Sequence, residues 1–342
     1  MNGKRVTIKD IANELGVSCA IINRALNNKS GVSAELRTKI LDTAQRLGYR
    51  PNKLARSLAR APINLGVIIP TAWQSFYAFL ERGIVSELDR LLDYNVEGTF
   101  YRVNNPYSAT DYVDKIRSAI NDGVDGIIIT DYYHEGMEDV LAELAKSQIP
   151  TVTIGTLPSN DISPLASISI DSQRSGEMAA QMLFLPLKSD ARVAVFIGSK
   201  SNAEHFQKAK SFEAAVKARG GCFMGCFETE DDAEIAEKIF RSLASELTPD
   251  GIYLATAGSD SVLDIIANEK YKTKVVATDI TDAVRRNVSS ESFVCTLYQD
   301  PEKQGRLAIR TLYDYLSEHT ALSDAVILSP QIIIGTNLDS VK

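Results

Sequence analysis

The stretch "TIKDIANELGVSCAIINRALNN", Thr7–Asn28, holds two short amphipathic patterns joined at Gly16. In the first pattern, apolar residues recur at the spacing of one helical face, and the glycine ends it. Ser18 is placed as the N-cap of the second pattern, which has an apolar face of its own. A third such pattern begins at Ser33 and ends at Gly48. Three short helices with so tight a first turn predict a helix-turn-helix.

The outer face of the second predicted helix is composed of small and polar side chains. A helix-turn-helix presents the outward residues at the start of its second helix to base edges in the major groove. Small side chains allow contact with a thymine methyl, and an arginine can bond guanine or phosphate. The predicted readers are Cys19, Ala20, Asn23 and Arg24. The predicted phosphate contacts, which would set the register, are Thr7, Ser18 and Asn27. A helical bundle whose second helix faces solvent or a partner protein is the alternative.

Charge is divided unevenly along the 342 residues. Residues 1–61 carry twelve Lys and Arg against four acids, a net charge of +8. Because the whole chain has a net charge of -7, the remainder carries -15. A small basic head on a large acidic body is typical of a nucleic-acid binder with a separate solvated domain. Charge alone leaves open that the basic residues form only a solvated face.

The segment that follows the three helices, "YRPNKLARSLAR" at residues 49–60, predicts another short helix. Pro51 cannot continue the preceding helix and Asn52 can cap a new one. The apolar residues of this segment then form one face among basic residues, and the helix is too short to be stable alone.

These segments resemble the LacI/GalR family of bacterial transcription regulators. The resemblance is carried, without gaps over about the first 60 residues, by "VTIKDIANELGVS", "RALNN", "GVSAELRTKILDTAQRLGYRPN" and "LARSL". It implies a hinge helix that folds on operator DNA and pairs with its dimer mate. It also implies that Leu58 enters the minor groove, that Ala55 contacts DNA or the mate, and that Arg56 lies near phosphate. Lys53 is a further candidate for a phosphate contact.

From Asn64 onward, short β-branched runs alternate with helical patterns in two successive series. Such alternation predicts parallel sheets covered on both faces, and two series predict two lobes. The predicted fold class is α/β, with a small all-α helix-turn-helix head joined by a hinge helix to a two-lobed body. The predicted domains are residues 1–50, 51–61 and 62–342. Within the body, the predicted first lobe spans about 62–163 and 297–321, and the second about 164–296 and 322–342.

Ligands of open parallel sheets bind beyond the carboxyl ends of the strands. The side chains predicted there are aromatic rings, carboxylates and an amide, which suit a polyhydroxylated ligand. They are Trp73, Phe76, Tyr77, Asp131, Asp171, Asp279 and Gln299. The same patterns allow the rings of Phe76 and Tyr77 to be core, and the carboxylates of Asp171 and Asp279 to cap helices.

The body also resembles the regulatory part of the same family, which is similar to periplasmic sugar-binding proteins. The matching segments include "LGVIIP", "VDGIII", "ISIDSQRSGEMAAQML" and "VVATDI". The resemblance implies that Phe76, Asp279 and Gln299 are cleft residues. It places the usual effector-binding arginine at Phe206, with Lys208 the nearest cation and with His205 and Gln207 as substitutes. We therefore expect a neutral sugar or polyol instead of an anion, and Lys208 or Arg174 is the alternative centre of the cleft if the ligand is an anion.

Other classes of function find little support in the sequence. It contains no nucleophile elbow, P-loop, dinucleotide fingerprint or HExxH helix, and none of its four cysteines has metal-type spacing. We therefore expect no enzyme, cofactor or metal. No apolar run is long enough for a membrane helix and no export signal is evident, which predicts a cytoplasmic protein. The predicted function is a dimeric, ligand-responsive, sequence-specific DNA-binding repressor of a carbohydrate-utilisation operon. A body controlled by a partner protein is the alternative.

The hinge helix gives a first prediction. Replacing Leu58 with alanine should weaken binding to a selected operator by about tenfold or more, since losing an apolar side chain of this size removes about 1.5–3 kcal/mol of burial. Binding to unrelated duplexes, which is mainly electrostatic, should change little. Fluorescence anisotropy with both duplexes measures the two affinities. Equal weakening on both would remove Leu58 as a specific minor-groove contact.

Overall fold

The computed structural model describes residues 6–26, 29–49, 61–71, 74–105, 108–130, 136–155, 164–318 and 325–341. The chain divides into two compact units, residues 1–61 and 62–342. Most of the predicted hinge helix lies outside the described residues, and with it lie Lys53, Ala55, Arg56 and Leu58. No helix in the described ranges is both long and apolar enough to span a membrane.

The head contains three helices, α1 Ile8–Leu15, α2 Cys19–Leu26 and α3 Ala34–Arg46. Thr7 and Asp10 form a capping box at the start of α1, and Gly16 adopts a left-handed φ of 65° in the turn to α2. The small core between the helices is formed by Ile11, Ala12, Ile22, Ala25, Ile40 and Ala44. The helix-turn-helix prediction is therefore confirmed.

The first sheet of the body is parallel throughout, in the strand order β11-β5-β4-β3-β1-β2. Its strands are β1 Ile63–Pro70, β2 Val96–Val103, β3 Gly126–Thr130, β4 Thr151–Ile154, β5 Ala166–Ile170 and β11 Ala325–Leu328. The helices packed with it are α4 Gln74–Leu91, α5 Ala109–Asn121, α6 Glu138–Ser147 and α12 Pro301–Glu318. Alternate residues of β1 enter two different cores. Val67 and Ile69 pack in one of them, and Ile68 packs in the other. Helices on both faces explain the continuous apolar run of this strand.

The second sheet has the order β12-β10-β9-β8-β6-β7 and is parallel except for β12. Its strands are β6 Arg192–Ile197, β7 Cys222–Glu228, β8 Gly251–Leu254, β9 Lys274–Thr278, β10 Phe293–Tyr298 and β12 Gln331–Ile333. The helices that follow or precede them are α7 Ser172–Leu183, α8 Ala203–Ala218, α9 Ala233–Leu247, α10 Ser261–Asn268 and α11 Asp282–Asn287. Short 3₁₀ helices lie at Leu92–Tyr94, Ala257–Ser259 and Gly335–Ser340. Two parallel sheets confirm the α/β prediction for the body.

The lobe boundaries predicted from the sequence need correction. Strand β5, assigned to the second lobe by a break at residue 164, pairs with β4 in the first sheet. Strand β11, assigned to the second lobe by a break at residue 322, pairs with β5 in the same sheet. The chain therefore passes between lobes after Ile170, Tyr298 and Leu328. The alternating runs indicated strands correctly, but hydrogen bonding to distant strands decides which sheet each one joins.

Helices α4 and α12 approach each other closely at two glycines. A Cβ atom added to Gly83 would lie 2.1 Å from the carbonyl oxygen of Glu302, and one added to Gly305 would lie 2.4 Å from that of Leu80. These backbone contacts leave no room for any side chain. They fix α12, which begins two residues after Gln299, against α4, which begins near Phe76.

This contact predicts a loss of stability on adding a methyl group. Gly83→Ala and Gly305→Ala should each lower the free energy of unfolding of the body by about 1–3 kcal/mol, because the helices must separate. Gly335→Ala is the control, since its added methyl would lie 3.6 Å from Val288, and it should change the free energy by less than about 0.5 kcal/mol. Urea unfolding measures all three. Unchanged stability in the first two variants would contradict the close approach.

Candidate functional site

The head exposes the four predicted base-reading residues. Cys19, Ala20, Asn23 and Arg24 are all exposed on α2, whereas Ile22 and Ala25 of the same helix are buried. The apolar side of α2 thus packs in the core of the head, and its other side is exposed. Base reading by these four residues stays a prediction.

The hydroxyl groups predicted to contact phosphate already have roles in the head. The Thr7 hydroxyl donates to the Asp10 carboxylate at 2.7 Å and accepts from the Asp10 backbone N–H at 3.3 Å. The Ser18 hydroxyl accepts from the Ile21 backbone N–H at 3.4 Å and keeps a proton that it can donate. Ser18 is therefore better placed than Thr7 to bond a phosphate. Asn27 lies outside the described residues.

A cavity in the body lies at the carboxyl ends of strands from both sheets. It has an empty volume of about 660 Å³, including space open to solvent, which is within the usual range for small-molecule sites. Among the described residues, the first lobe contributes aromatic and uncharged side chains, which include Phe76, Tyr77, Thr130 and Gln304. The second lobe contributes the charged wall, with Glu204, His205, Lys208, Asp231, Asp279 and Gln299. Within the described residues, no group of acids, histidines and cysteines could hold a metal ion.

Three buried polar side chains of the second lobe form one hydrogen-bonded chain. The Lys208 ammonium donates to Gln299 Oε1 at 2.8 Å, and Gln299 Nε2 donates to Asp279 Oδ2 at 2.7 Å. The Gln299 backbone N–H also donates to Asp279 Oδ1 at 3.1 Å. Burial raises the pKa of Asp279, and the hydrogen bonds from Gln299 and the charge of Lys208 oppose that rise. We call these residues the Lys208–Gln299–Asp279 network.

His205 lies beside this network as a neutral ring. Burial, and then the neighbouring charge of Lys208, lowers its pKa to about 3. The Ser199 backbone N–H donates to its Nδ1 at 3.4 Å, which places the ring proton on Nε2. The histidine can therefore offer the cavity one N–H donor and carries no charge near neutral pH.

Two of the predicted cleft residues fall outside the cavity. Phe206 is 47% exposed and Gln207 is only partly buried, and neither lines the cavity. The cation in this part of α8 is Lys208, which is 2% exposed and lines the cavity. The sequence prediction of a missing cation is thus corrected. The helical period accounts for its position, because Lys208 is four residues before the buried Phe212.

The remaining predicted cleft residues divide into clear groups. Phe76, Tyr77, His205, Asp279 and Gln299 all line the cavity. Tyr77 is also core, being 4% exposed.

Asp171 caps α7, accepting from the Arg174 backbone N–H at 2.9 Å, whereas α11 is capped by Thr281 and not by Asp279. Trp73 and Asp131 lie outside the described residues. Sequence reasoning missed Glu204, Asp231, Thr278 and Gln304.

Comparisons with known proteins agree with both parts of the chain. Residues 7–52 match the family of bacterial regulatory proteins, lacI family, and residues 65–320 match the periplasmic binding protein domain. Catabolite control protein A of Priestia megaterium is 28% identical over 337 residues, covering 96% of this chain and 97% of its own length.

The fold is similar to that of the lac repressor dimer bound to operator and the anti-inducer ONPF. That match has a TM-score of 0.64 and 18% identity, covering 96% of this chain and 98% of the other. An ABC transporter solute binding protein from Agrobacterium vitis bound with alpha-D-tagatopyranose matches with a TM-score of 0.74 and 18% identity, covering 82% and 97%. The body therefore belongs to the periplasmic binding protein domain family, and it follows a helix-turn-helix head whose residues 7–52 match the lacI family of bacterial regulatory proteins.

Proposed function

We propose that this regulator is a dimeric, sequence-specific repressor of genes for carbohydrate use, controlled by a sugar or polyol that binds in the cavity. The observation that carries the proposal is the Lys208–Gln299–Asp279 network, a buried set of polar groups at the carboxyl ends of the second sheet. Buried polar groups held in one orientation beside an aromatic wall are typical of ligand sites. The sugar-bound solute binding protein of similar fold supports the same ligand class.

The chemistry of the cavity favours hydroxyl groups over an anion. Phe76 and Tyr77 offer ring faces and edges to the C–H side of a sugar, and amides and carboxylates accept or donate to its hydroxyls. Three carboxylates face the cavity against the single described ammonium, that of Lys208. Carboxylate oxygens accept hydrogen bonds from ligand hydroxyl groups, whereas an anion has no proton to give them.

Control of DNA binding follows from the position of the cavity between two lobes. A ligand that touches both walls favours the lobe arrangement in which both contacts are made. It changes operator affinity only if that arrangement binds DNA better or worse than the other. A twofold dimer would require two half-sites, so we propose a palindromic operator with a flexible central step.

A thermal-shift screen against sugars, polyols and nucleosides tests ligand control. We expect at least one sugar or polyol to stabilise the protein and change its operator affinity. Asp279→Asn should abolish both effects, because an amide in place of the carboxylate sets a donor against the Gln299 donors. Asp300→Asn is the matched control, since Asp300 caps α12 through Lys303 outside the cavity, and asparagine caps equally well.

The screen also separates the two forms of regulation. If no small molecule stabilises the protein while operator binding remains intact, control by a partner protein replaces this proposal. Loss of response in both Asp279→Asn and Asp300→Asn would remove the specific role of the network.

The exposed residues of α2 give a prediction for base reading. Exchanging Cys19 and Ala20 should change which operator sequence is preferred, because the two side chains differ in size and both are exposed. Lys53→Ala should instead weaken all sequences alike and lower the slope of log affinity against log salt by about 1. Selection from random duplexes measures preference. An unchanged consensus after the exchange would remove both residues as readers.

A further inference from the structure

We propose that Arg37 of α3 is a positioning residue for base reading. Its guanidinium holds the C-terminal end of α2 and the loop that follows, and so sets where the Arg24 side chain meets DNA. The inference rests on the proposed function, since it requires α2 to read bases. It goes beyond that function because it gives a part in sequence preference to a residue of another helix, outside the predicted readers.

The guanidinium of Arg37 bonds two carbonyl groups at the end of α2. Its Nη1 donates to the Ala25 carbonyl oxygen at 3.2 Å, and its Nη2 donates to the Lys29 carbonyl oxygen at 2.6 Å. The Ala25 carbonyl is one of the last four of α2, which cannot be paired by the regular hydrogen bonds of the helix. A positive charge is favourable at this end of a helix, and an ionised donor makes a stronger hydrogen bond than a neutral one. Arg37 therefore caps α2 from a neighbouring helix.

The loop that Arg37 holds is joined to Arg24 at two points. The Lys29 backbone N–H donates to the Arg24 carbonyl oxygen at 2.9 Å, a bond over five residues that is typical of helix ends. A Cβ atom added to Gly31, whose φ is 88°, would lie 3.3 Å from Arg24 Nη1. A shift of this loop would therefore disturb both the backbone and the side chain of Arg24.

The two arginines differ in what they can reach. Arg24 is exposed, whereas Arg37 is half-buried and spans two carbonyl groups of the protein. The donors of a guanidinium lie in one plane, so a pair of bonds fixes its orientation. A base contact depends on such fixed geometry, whereas binding to phosphates is mainly electrostatic. Loss of the paired bonds of Arg37 should therefore change which sequence is bound more than how strongly DNA in general is bound.

Binding of the full chain to two duplexes tests the inference. One duplex is selected by the wild-type protein from random sequences, and the other is a shuffled duplex of the same composition. Arg37→Lys keeps the positive charge but loses the planar pair of donors. We expect it to lower the preference for the selected duplex by about tenfold, within the range of one base contact. Affinity for the shuffled duplex and its salt dependence, both measured by fluorescence anisotropy, should stay unchanged.

A matched control and a double-mutant cycle locate the effect. Arg46→Lys should keep the full preference, because Arg46 lies on the same helix but pairs with Glu14 of α1, an ion pair that lysine can also form. Arg37→Lys should lower the preference no more than Arg24→Ala does. The double variant should match Arg24→Ala alone, because one arginine acts through the other, whereas independent losses would add.

Selection from random duplexes with each variant gives a second measurement. Arg37→Lys should relax the consensus at the base pairs that Arg24→Ala relaxes and at no others. A head that failed to fold would select no consensus and would lose more preference than Arg24→Ala. Either of those results would contradict a positioning role, because Arg37 would then serve the folding of the head as a whole.

The outcomes separate this inference from the proposed function. Wild-type preference in Arg37→Lys, additive losses in the cycle, or an equal loss in Arg46→Lys would each overturn the inference and leave the proposed function in place. If Arg24→Ala keeps the wild-type consensus, base reading by Arg24 is contradicted and the inference fails with it. If the wild-type protein selects no consensus, the inference and the proposed sequence-specific function are both contradicted.

Discussion

The body depends on the hydrogen bonds that join Lys208, Gln299 and Asp279. Each residue comes from a different place, α8, the segment after β10 and the end of β9, so the bonds tie three elements at one point. Both ends of the Gln299 amide are used, which fixes its orientation. Removing any member would leave a buried amide or charge unpaired, and such a loss is far larger than the net gain from a single hydrogen bond.

This network is connected to the opposite wall of the cavity through packed backbone. The Gln304 side chain of α12 donates to the Gln299 carbonyl oxygen at 2.9 Å. Helix α12 then contacts α4 at Gly305 of α12 and Gly83 of α4. Helix α4 also contributes Phe76 and Tyr77 to the first-lobe wall. A shift of Gln299 would therefore have to displace the closely packed helices α12 and α4. Because packed interfaces have few alternative arrangements, such a structure favours two discrete lobe positions over a continuous range.

The head was predictable almost entirely because its signals are local. Caps at Thr7, Ser18 and Ser33, the glycine turn and the apolar period all act within a few residues. The rule that ligands bind beyond the carboxyl ends of parallel strands also placed Asp279 and Gln299 correctly at the cavity. Lobe assignment failed because β5 and β11 join the first sheet through bonds to strands far away in the sequence. The family motif indicates Phe206, whereas the helical period brings Lys208, two residues later, to the cavity. Asp231 was missed because only the folded loop brings it to the wall.

We propose that occupation of the cavity and operator binding are energetically linked. Thermodynamic linkage requires the ligand to change operator affinity by the same factor by which operator changes ligand affinity, a factor typically between about 5 and 150. Calorimetric titration of an effector into the free protein and into the protein saturated with operator measures this directly. We expect two different ligand affinities, whose ratio equals the change in operator affinity that anisotropy measures. The same ligand affinity with and without operator would contradict it.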